Sequence, residues 1–497
     1  MRDDRGAGLF SRSLPAALLI LAVAIATRVV TYGNPLTDMD DQFYWLVGRS
    51  MWNGDWPVLD IWDRKPVGLF LIFGAITGIS NSIVAMQLAA TVFAAATAWT
   101  VRWAALTFAR PAGATMAGLA YLLVLPSFGG QSGQSPIFYN LFIAGAGALL
   151  LSVSGSSDRN RIRHCAFWAI ALSGLALVVK QVSVAEGTFF GLAFLRLLHR
   201  EGESWRRLAS GAATMIGLAL LPTLAAFALF ATRGGDAVAA YGYAAYISNF
   251  AKTKLIFESR LAGVEYLLLF MLALIVFAGL GAITRRRGGT DPVRQRLIPG
   301  WIIASLAGYL LVPNFFPHYA LPLIVPLAIS AASAFDRPAG RLLFAALAAF
   351  ALIQGDMTNL ARNRSARLDF DAAADRVETA RQGGCIYLVN GPAALYAVSP
   401  ACRTTRYLFP YHLTLASEAG AIGIDQRGEV RRIFDSRPAV VVTQDSQRPN
   451  HSRDVEALVA ERLARDYRIV ASVSPNADPD IATLRIWQRS DLPPPTN

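Results

Sequence analysis

A mainly α, polytopic transmembrane helical bundle of about 11–13 membrane helices, joined to a small C-terminal extracytoplasmic α/β domain, is the fold class the sequence predicts. Three observations lead there. Of the 497 residues 54% are hydrophobic and 16% charged, with a mean hydropathy of +0.39, which is too apolar for a soluble globular chain. Apolar stretches long enough to cross a bilayer recur through the first 357 residues. After them charges spread evenly and short strand-like runs replace the long apolar ones.

A membrane-crossing helix needs roughly 20 mainly apolar residues. Eleven segments qualify, near 13–32, 83–101, 111–127, 136–153, 165–180, 182–198, 208–231, 261–283, 297–312, 317–334 and 341–357. The first has basic residues before it and no clean small-residue cleavage site after it, so it reads as a retained helix rather than a cleaved signal. A further apolar stretch, 66–79, is short. Whether it crosses sets the side of everything that follows. Left on the outer side as a re-entrant or interfacial helix, it puts Met1–Arg12, Arg102–Arg110, Asp158–His164, His199–Arg207, Thr284–Arg296 and Asp336–Arg341 in the cytoplasm, so every strongly basic loop faces inward. Counted as a crossing, it would send Arg159, Arg161 and Arg163, and later Arg285, Arg286 and Arg287, outside. The formal charge of +12 is therefore topology rather than a nucleic-acid footprint, because Arg and Lys fall in short clusters between apolar stretches.

The outer, extracytoplasmic side of an inner membrane then receives the loop Gly33–Ser82, the turn Phe128–Ser135, the turn at Lys180, the loop Arg233–Arg260, the turn Pro313–Pro317 and everything after about residue 358. The expected division is 1–357 for the membrane domain, with 33–82 its first outer loop, and 358–497 for the soluble domain. Strands are predicted at Cys385–Asn390, Ala439–Thr443, Arg468–Val473 and Thr483–Gln488, with helices near 369–381, 425–435 and 453–465. Of three cysteines, Cys165 opens an apolar helix, whereas Cys385 and Cys402 could pair if their domain faces an oxidising compartment. No solenoid-type repeat is present.

The sharpest chemical feature is Thr37-Asp-Met-Asp-Asp-Gln-Phe-Tyr-Trp45. It sets Asp38, Asp40 and Asp41 directly after the first membrane helix. Crowded carboxylates suit a base or a metal site; they equally suit the cap and first turn of a helix over Gln42–Met51. The two roles are compatible. The same loop ends with Arg64 and Lys65 at the edge of 66–79, where basic side chains snorkel to headgroups or meet an anion. Lys180 stands where two apolar helices meet with almost no loop, a costly place for an ammonium without water or an anion. His318, in Asn314-Phe-Phe-Pro-His-Tyr-Ala-Leu-Pro322, is either a hydrogen-bonded structural histidine or a donor to a phosphate or acceptor. Carboxylates and cations on one membrane face suit transfer of a sugar from a lipid-linked phosphate to a hydroxyl. A carboxylate takes the acceptor's proton, and cations stabilise the departing phosphate.

At these residues the chain resembles the GT-C superfamily of membrane glycosyltransferases, in the bacterial branch of protein O-mannosyltransferases and lipid A aminoarabinose transferases. Asp40-Asp41-Gln42-Phe43-Tyr44 resembles that family's Asp-Glu-x-x-Tyr signature. Gly54-Asp55-Trp56 and then Arg64-Lys65-Pro66 resemble its Gly-Asp-Trp and Glu-Lys-Pro-Pro elements. Gly174-Leu-Ala-Leu-Val-Val-Lys180 is similar to its Gly-Leu-x-x-x-x-Lys helix end, and His318-Tyr319-Ala-Leu-Pro322 to its late basic-Tyr-x-x-Pro element. The match covers about residues 10–335. It implies Asp40 as the residue engaging the acceptor, Asp41 in support, and Lys65 and Lys180 on the donor's phosphate, with Asp38, Tyr44, Arg64, His318 and Tyr319 lining the substrates. Three departures stand out: Asp41 replaces the family's Glu, Val67 its second Pro, and Gln131-Ser-Gly-Gln-Ser-Pro-Ile-Phe-Tyr-Asn140 lacks the carboxylate some members carry. The resemblance therefore implies a metal-independent, inverting reaction without a cofactor.

The expected donor is an undecaprenyl-phosphate sugar. The expected acceptor is a hydroxyl on lipid A, lipopolysaccharide core, another envelope glycolipid or a protein. The alternative from another class is a transporter or flippase of lipid-linked sugars, whose site would lie near the bilayer midplane in broken, repeated helices; neither is evident, and the acidic cluster lies in a loop at the interface. A third reading, an assembly subunit with a degenerate site, is opposed by the retention of Asp40, Lys65 and Lys180.

Overall fold

A computed structural model of the chain describes residues 4–252, 257–287, 292–312, 315–355, 357, 359–398, 402–445, 450–474 and 483–495. Turn residues 313–314 and part of the basic loop, 288–291, lie outside the described residues. The chain divides into two compact units, one of Met1–Val30, Gln87–Ala226 and Phe257–Thr358, the other of Thr31–Met86, Phe227–Ile256 and Asn359–Asn497.

The first unit is a helical bundle. All eleven predicted apolar segments are helical, and among the described residues nine helices are long and apolar enough to cross a membrane. This is a multi-pass membrane protein. The two remaining segments fall short for visible reasons: Pro292–Leu310 carries Arg294 and Arg296 in its first turns, and Pro338–Gln354 has only 17 residues. Several predicted boundaries move by a few residues, one of them at a visible cap. Cys165 does not open its helix, which runs Arg159–Val179, because Asp158 accepts from the N–H groups of Asn160 and Arg161 and starts it earlier.

The segment Pro317–Phe335 is the centre of the bundle, 89% buried, whereas Trp205–Ala231 is 17% buried and turns Leu220, Leu221 and Leu224 outward. Helix Leu321–Phe335 packs against Phe257–Arg287 and Pro111–Val124. Lipid tails are as apolar as leucine, so such packing depends on close backbone approach at small residues. Gly281 supplies one: a Cβ there would meet the Ser330 carbonyl oxygen at 2.0 Å.

The second unit pairs a short helical hairpin with an α/β sheet. Helix Met39–Met51 packs against helix Val67–Ile79, with Gly48 so close to the backbone of Phe73 that a Cβ would sit 2.7 Å from its carbonyl carbon. The sheet holds β1 (Ile386–Leu388), β2 (Val440–Gln444), β3 (Tyr467–Val473) and β4 (Leu484–Arg489) in the order β1-β2-β4-β3. The first pair is parallel and the others antiparallel. Leu484, Ile486 and Gln488 alternate inward along β4, as a strand with one covered face requires. Helix Leu360–Arg381 covers it, and Gln488 Nε2 donates to the Ala380 carbonyl at 2.9 Å. Cys385 and Cys402 form a disulfide that ties the segment after Cys402 beside β1, where Ile386 N donates to Cys402 O at 3.4 Å. From the Phe227–Ile256 stretch, Tyr241 stacks on Phe230 with ring centroids 4.1 Å apart and its hydroxyl accepts from Val67 N at 3.4 Å.

Candidate active site

Within the second unit the three acids divide their work. Asp38, in extended backbone at φ −152°, is the N-cap: its Oδ1 accepts from Asp40 N at 2.8 Å and Asp41 N at 3.3 Å. The helix therefore starts at Met39, three residues before the predicted Gln42, and Asp40 and Asp41 fall in its first turn, where free N–H groups favour negative charge. Asp41 is buried and Asp40 partly buried.

Lys65 closes the site from the far end of the loop. Its Nζ is 3.8 Å from Asp40 Oδ1, 3.8 Å from Asp63 Oδ2 and 5.3 Å from the centre of the Tyr44 ring. Tyr44 is fixed in turn by edge contacts to Phe70 and Phe73. Asp63 Oδ1 faces His412 Nε2 at 3.8 Å. Burial first, then the cations Arg64 and Lys65, hold the His412 imidazole well below its ordinary pKa, so it is neutral and the contact with Asp63 is not an ion pair. The result is a line of contacts from Asp40 through Lys65 and Asp63 to His412.

Arg64 points elsewhere. Its guanidinium engages both carboxylate oxygens of buried Glu418, and Lys252 Nζ reaches the same carboxylate at 2.7 Å. Burial pushes the Glu418 carboxyl up, with Arg64 and Lys65 pulling against it. Two cations on one acid make this cluster positive. Trp62 stands edge-on to His412 at 4.7 Å, and its backbone N donates to Arg406 O at 2.9 Å. Arg403, next to the disulfide, binds Asp55 at 2.7 Å and Ser50 Oγ at 2.9 Å.

The first unit carries the remaining predicted residues. Lys180 is the extended cap between helix Arg159–Val179 and the turn Gln181–Ser183. It is buried, with Nζ 5.2 Å from the centre of the Tyr319 ring. His318 lies edge-on to Tyr319 at 4.4 Å and stacks on Phe316. One turn beyond Lys180, buried Glu186 accepts from Trp301 Nε1 at 3.0 Å and Ser305 Oγ at 2.7 Å. In the segment that departs from the family pattern, Asn140 Nδ2 donates to Leu321 O at 3.3 Å.

No family model and no curated protein matches the chain. Solved structures do match. The crystal structure of ArnT from Cupriavidus metallidurans, bound to undecaprenyl phosphate, superposes at a TM-score of 0.63 and 15% identity, covering 94% of this chain and 97% of that one. The apo oligosaccharyltransferase of Archaeoglobus fulgidus follows at 0.50 and 12%, covering 87% and 69%, and the same enzyme tethered to an acceptor peptide with the NVT sequon at 0.50 and 10%, with the same coverage. The chain shares its fold with these proteins.

Around this fold, sequence reasoning overlooked Asp63, His412, Glu418, Lys252 and Glu186. Asp63 directly precedes the quoted Arg64-Lys65-Pro66, two residues before Lys65. Glu186 left a readable mark, a lone acid in an apolar helix. Glu418, His412 and Lys252 left none, since their partners lie far away in the chain: Arg64 and Glu418 are 354 positions apart.

Proposed function

We propose that this protein is an integral-membrane glycosyltransferase that moves a sugar from a polyprenyl-phosphate donor to a hydroxyl of an extracytoplasmic cell-envelope acceptor. The acceptor oxygen bonds to the anomeric carbon and the bond from that carbon to the phosphate oxygen breaks. The acceptor's proton passes to Asp40, and the lipid phosphate departs toward cations, Lys65 and Lys180. Asp41 supports Asp40 from the same helical turn. The single observation that carries the reading is the Asp40–Lys65 pair. At 3.8 Å, with side chains 18% and 12% exposed, both groups are reachable while Asp63 and Arg64 behind them are buried. A base and an anion-binding cation side by side are what the transfer needs. The likeness in fold to ArnT, whose structure holds undecaprenyl phosphate, supports a polyprenyl-phosphate donor.

The positive-inside pattern supports an inner-membrane protein whose site and soluble domain face the periplasm. Lipid A, lipopolysaccharide core, another glycolipid or a protein is the acceptor. The resemblance to the lipid A aminoarabinose branch supports an inverting reaction that uses no metal.

The test incubates purified protein with a panel of polyprenyl-phosphate sugars and envelope acceptors. Wild type transfers sugar, and Asp40→Asn loses roughly 100-fold or more in turnover, the range for removing a general base. Undiminished transfer by the variant removes Asp40 from the mechanism. Uptake of lipid-linked sugar into sealed vesicles without glycosidic product would make the protein a transporter.

A further inference from the structure

At the end of the helical unit opposite Lys180 and His318 lies a polar cavity of about 780 Å³. Helix Leu321–Phe335 starts beside His318 and ends at this cavity, which fixes the two as opposite ends. Arg110, Arg285, Arg287 and Arg337 line it, with Asp336 and Phe108. Asp336 forms no ion pair with them among the described residues. Its Oδ2 accepts from Arg110 N at 2.8 Å and its Oδ1 from Gly113 N at 3.1 Å, so both oxygens cap the backbone of helix Pro111–Val124. None of the four arginines pairs with a carboxylate among the described residues.

Arginines that merely mark the inner face of a membrane protein extend into solvent. Arg285 does not. It is 3% exposed, its guanidinium donates to Ser330 O at 2.5 Å and Ser330 Oγ at 2.9 Å, and it lies 5.1 Å from the centre of the Phe108 ring. That grip fixes the planar group, yet its Nε finds no acceptor among the described residues. A buried, oriented guanidinium with an unsatisfied donor is costly unless an anion completes it. Beside it, helix Pro338–Gln354 begins at Arg337 with no side-chain cap, so its first-turn N–H groups add to the positive end.

We propose that this cavity is a phosphate-binding site, filled in the membrane by the headgroup of an anionic phospholipid. The buried Arg285 sets the orientation of the phosphate, and Arg110, Arg287 and Arg337 surround it. The site is independent of the sugar-transfer reading: it lies at the other end of the unit and shares no residue with that chemistry.

The experiment uses the full chain in neutral detergent and measures binding by native mass spectrometry and by the shift in melting temperature. Phosphatidylglycerol, phosphatidylethanolamine and inorganic phosphate are added separately. One phosphatidylglycerol binds saturably and raises the melting temperature, and phosphatidylethanolamine binds far more weakly. Arg110→Gln/Arg337→Gln, both exposed positions, weakens binding roughly tenfold or more. Arg159→Gln/Arg161→Gln, exposed arginines in the first turn of helix Arg159–Val179, leaves it unchanged. Arg285→Gln abolishes binding if it folds; the exposed pair keeps the test decisive if it does not. The same variant pattern with inorganic phosphate alone supports the phosphate site and assigns it to a free anion. Equal loss in both arginine pairs, or no saturable binding of any probe, overturns the proposal.

Discussion

His412 is a histidine that folding keeps neutral. Burial, Arg64 and Lys65 all oppose its charge, and Asp63, Trp62, Phe43 and Phe409 complete its surroundings. A group whose folded pKa is depressed contributes stability that is present above its unfolded pKa, about 6.5 for histidine. That stability drains away as pH falls below this value toward the folded pKa. Glu418 works the other way, because burial pushes its carboxyl up and acidification relieves a buried charge. The net effect of acid thus needs a comparison at one position. Melting temperatures at pH 7.5 and 5.5 should differ more in wild type than in His412→Gln. An equal difference in the two proteins would mean that the imidazole carries no acid sensitivity. Residue identities of this kind were half legible beforehand. The motif named Asp40 and Lys65, but which acid capped the helix depended on the φ of Asp38, a backbone angle that three neighbouring aspartates leave open.

At the scale of elements, the four strands fall within two residues of their predicted starts, because alternation and β-branched content are local signals. Their order is not local. β4 inserts between β2 and β3, and nothing in a single strand encodes that. The disulfide acts on the same scale. It closes a loop of 17 positions and holds the stretch that carries Arg403 onto Asp55 and Trp62 onto Arg406. Closing a loop of that length stabilises by roughly 3 kcal/mol. Cys402→Ser should therefore lower the melting temperature measurably and expose the segment after residue 402 to limited proteolysis. Reduction of the wild type should have the same effect. A variant that melts and digests like wild type would show that the sheet holds this segment without the cross-link.

For the whole molecule, composition announced a membrane protein, but the grouping of residues 31–86 and 227–256 with the C-terminal segment was hidden. It rests on pairs such as Arg64 with Glu418 that no local pattern records. Orientation turns on one short element. Helix Val67–Ile79 has 13 residues, about 20 Å at 1.5 Å per residue, against a hydrocarbon core of about 30 Å. It cannot span alone. Between exposed Asn53 and exposed Ser204 lie five helices long enough to cross, Ile83–Ala105, Pro111–Phe128, Ser135–Val153, Arg159–Val179 and Gln181–Arg200. An odd number of crossings puts the two positions on opposite sides, and counting Val67–Ile79 as a sixth would put them on the same side. Asn53→Cys and Ser204→Cys, made separately, give single exposed thiols, since Cys165 is buried and Cys385 and Cys402 are paired. In spheroplasts a membrane-impermeant maleimide should label Asn53→Cys directly and Ser204→Cys only after permeabilisation. Labelling of both from outside would make Val67–Ile79 a crossing and carry Arg159, Arg161 and Arg163 outside, against the charge rule.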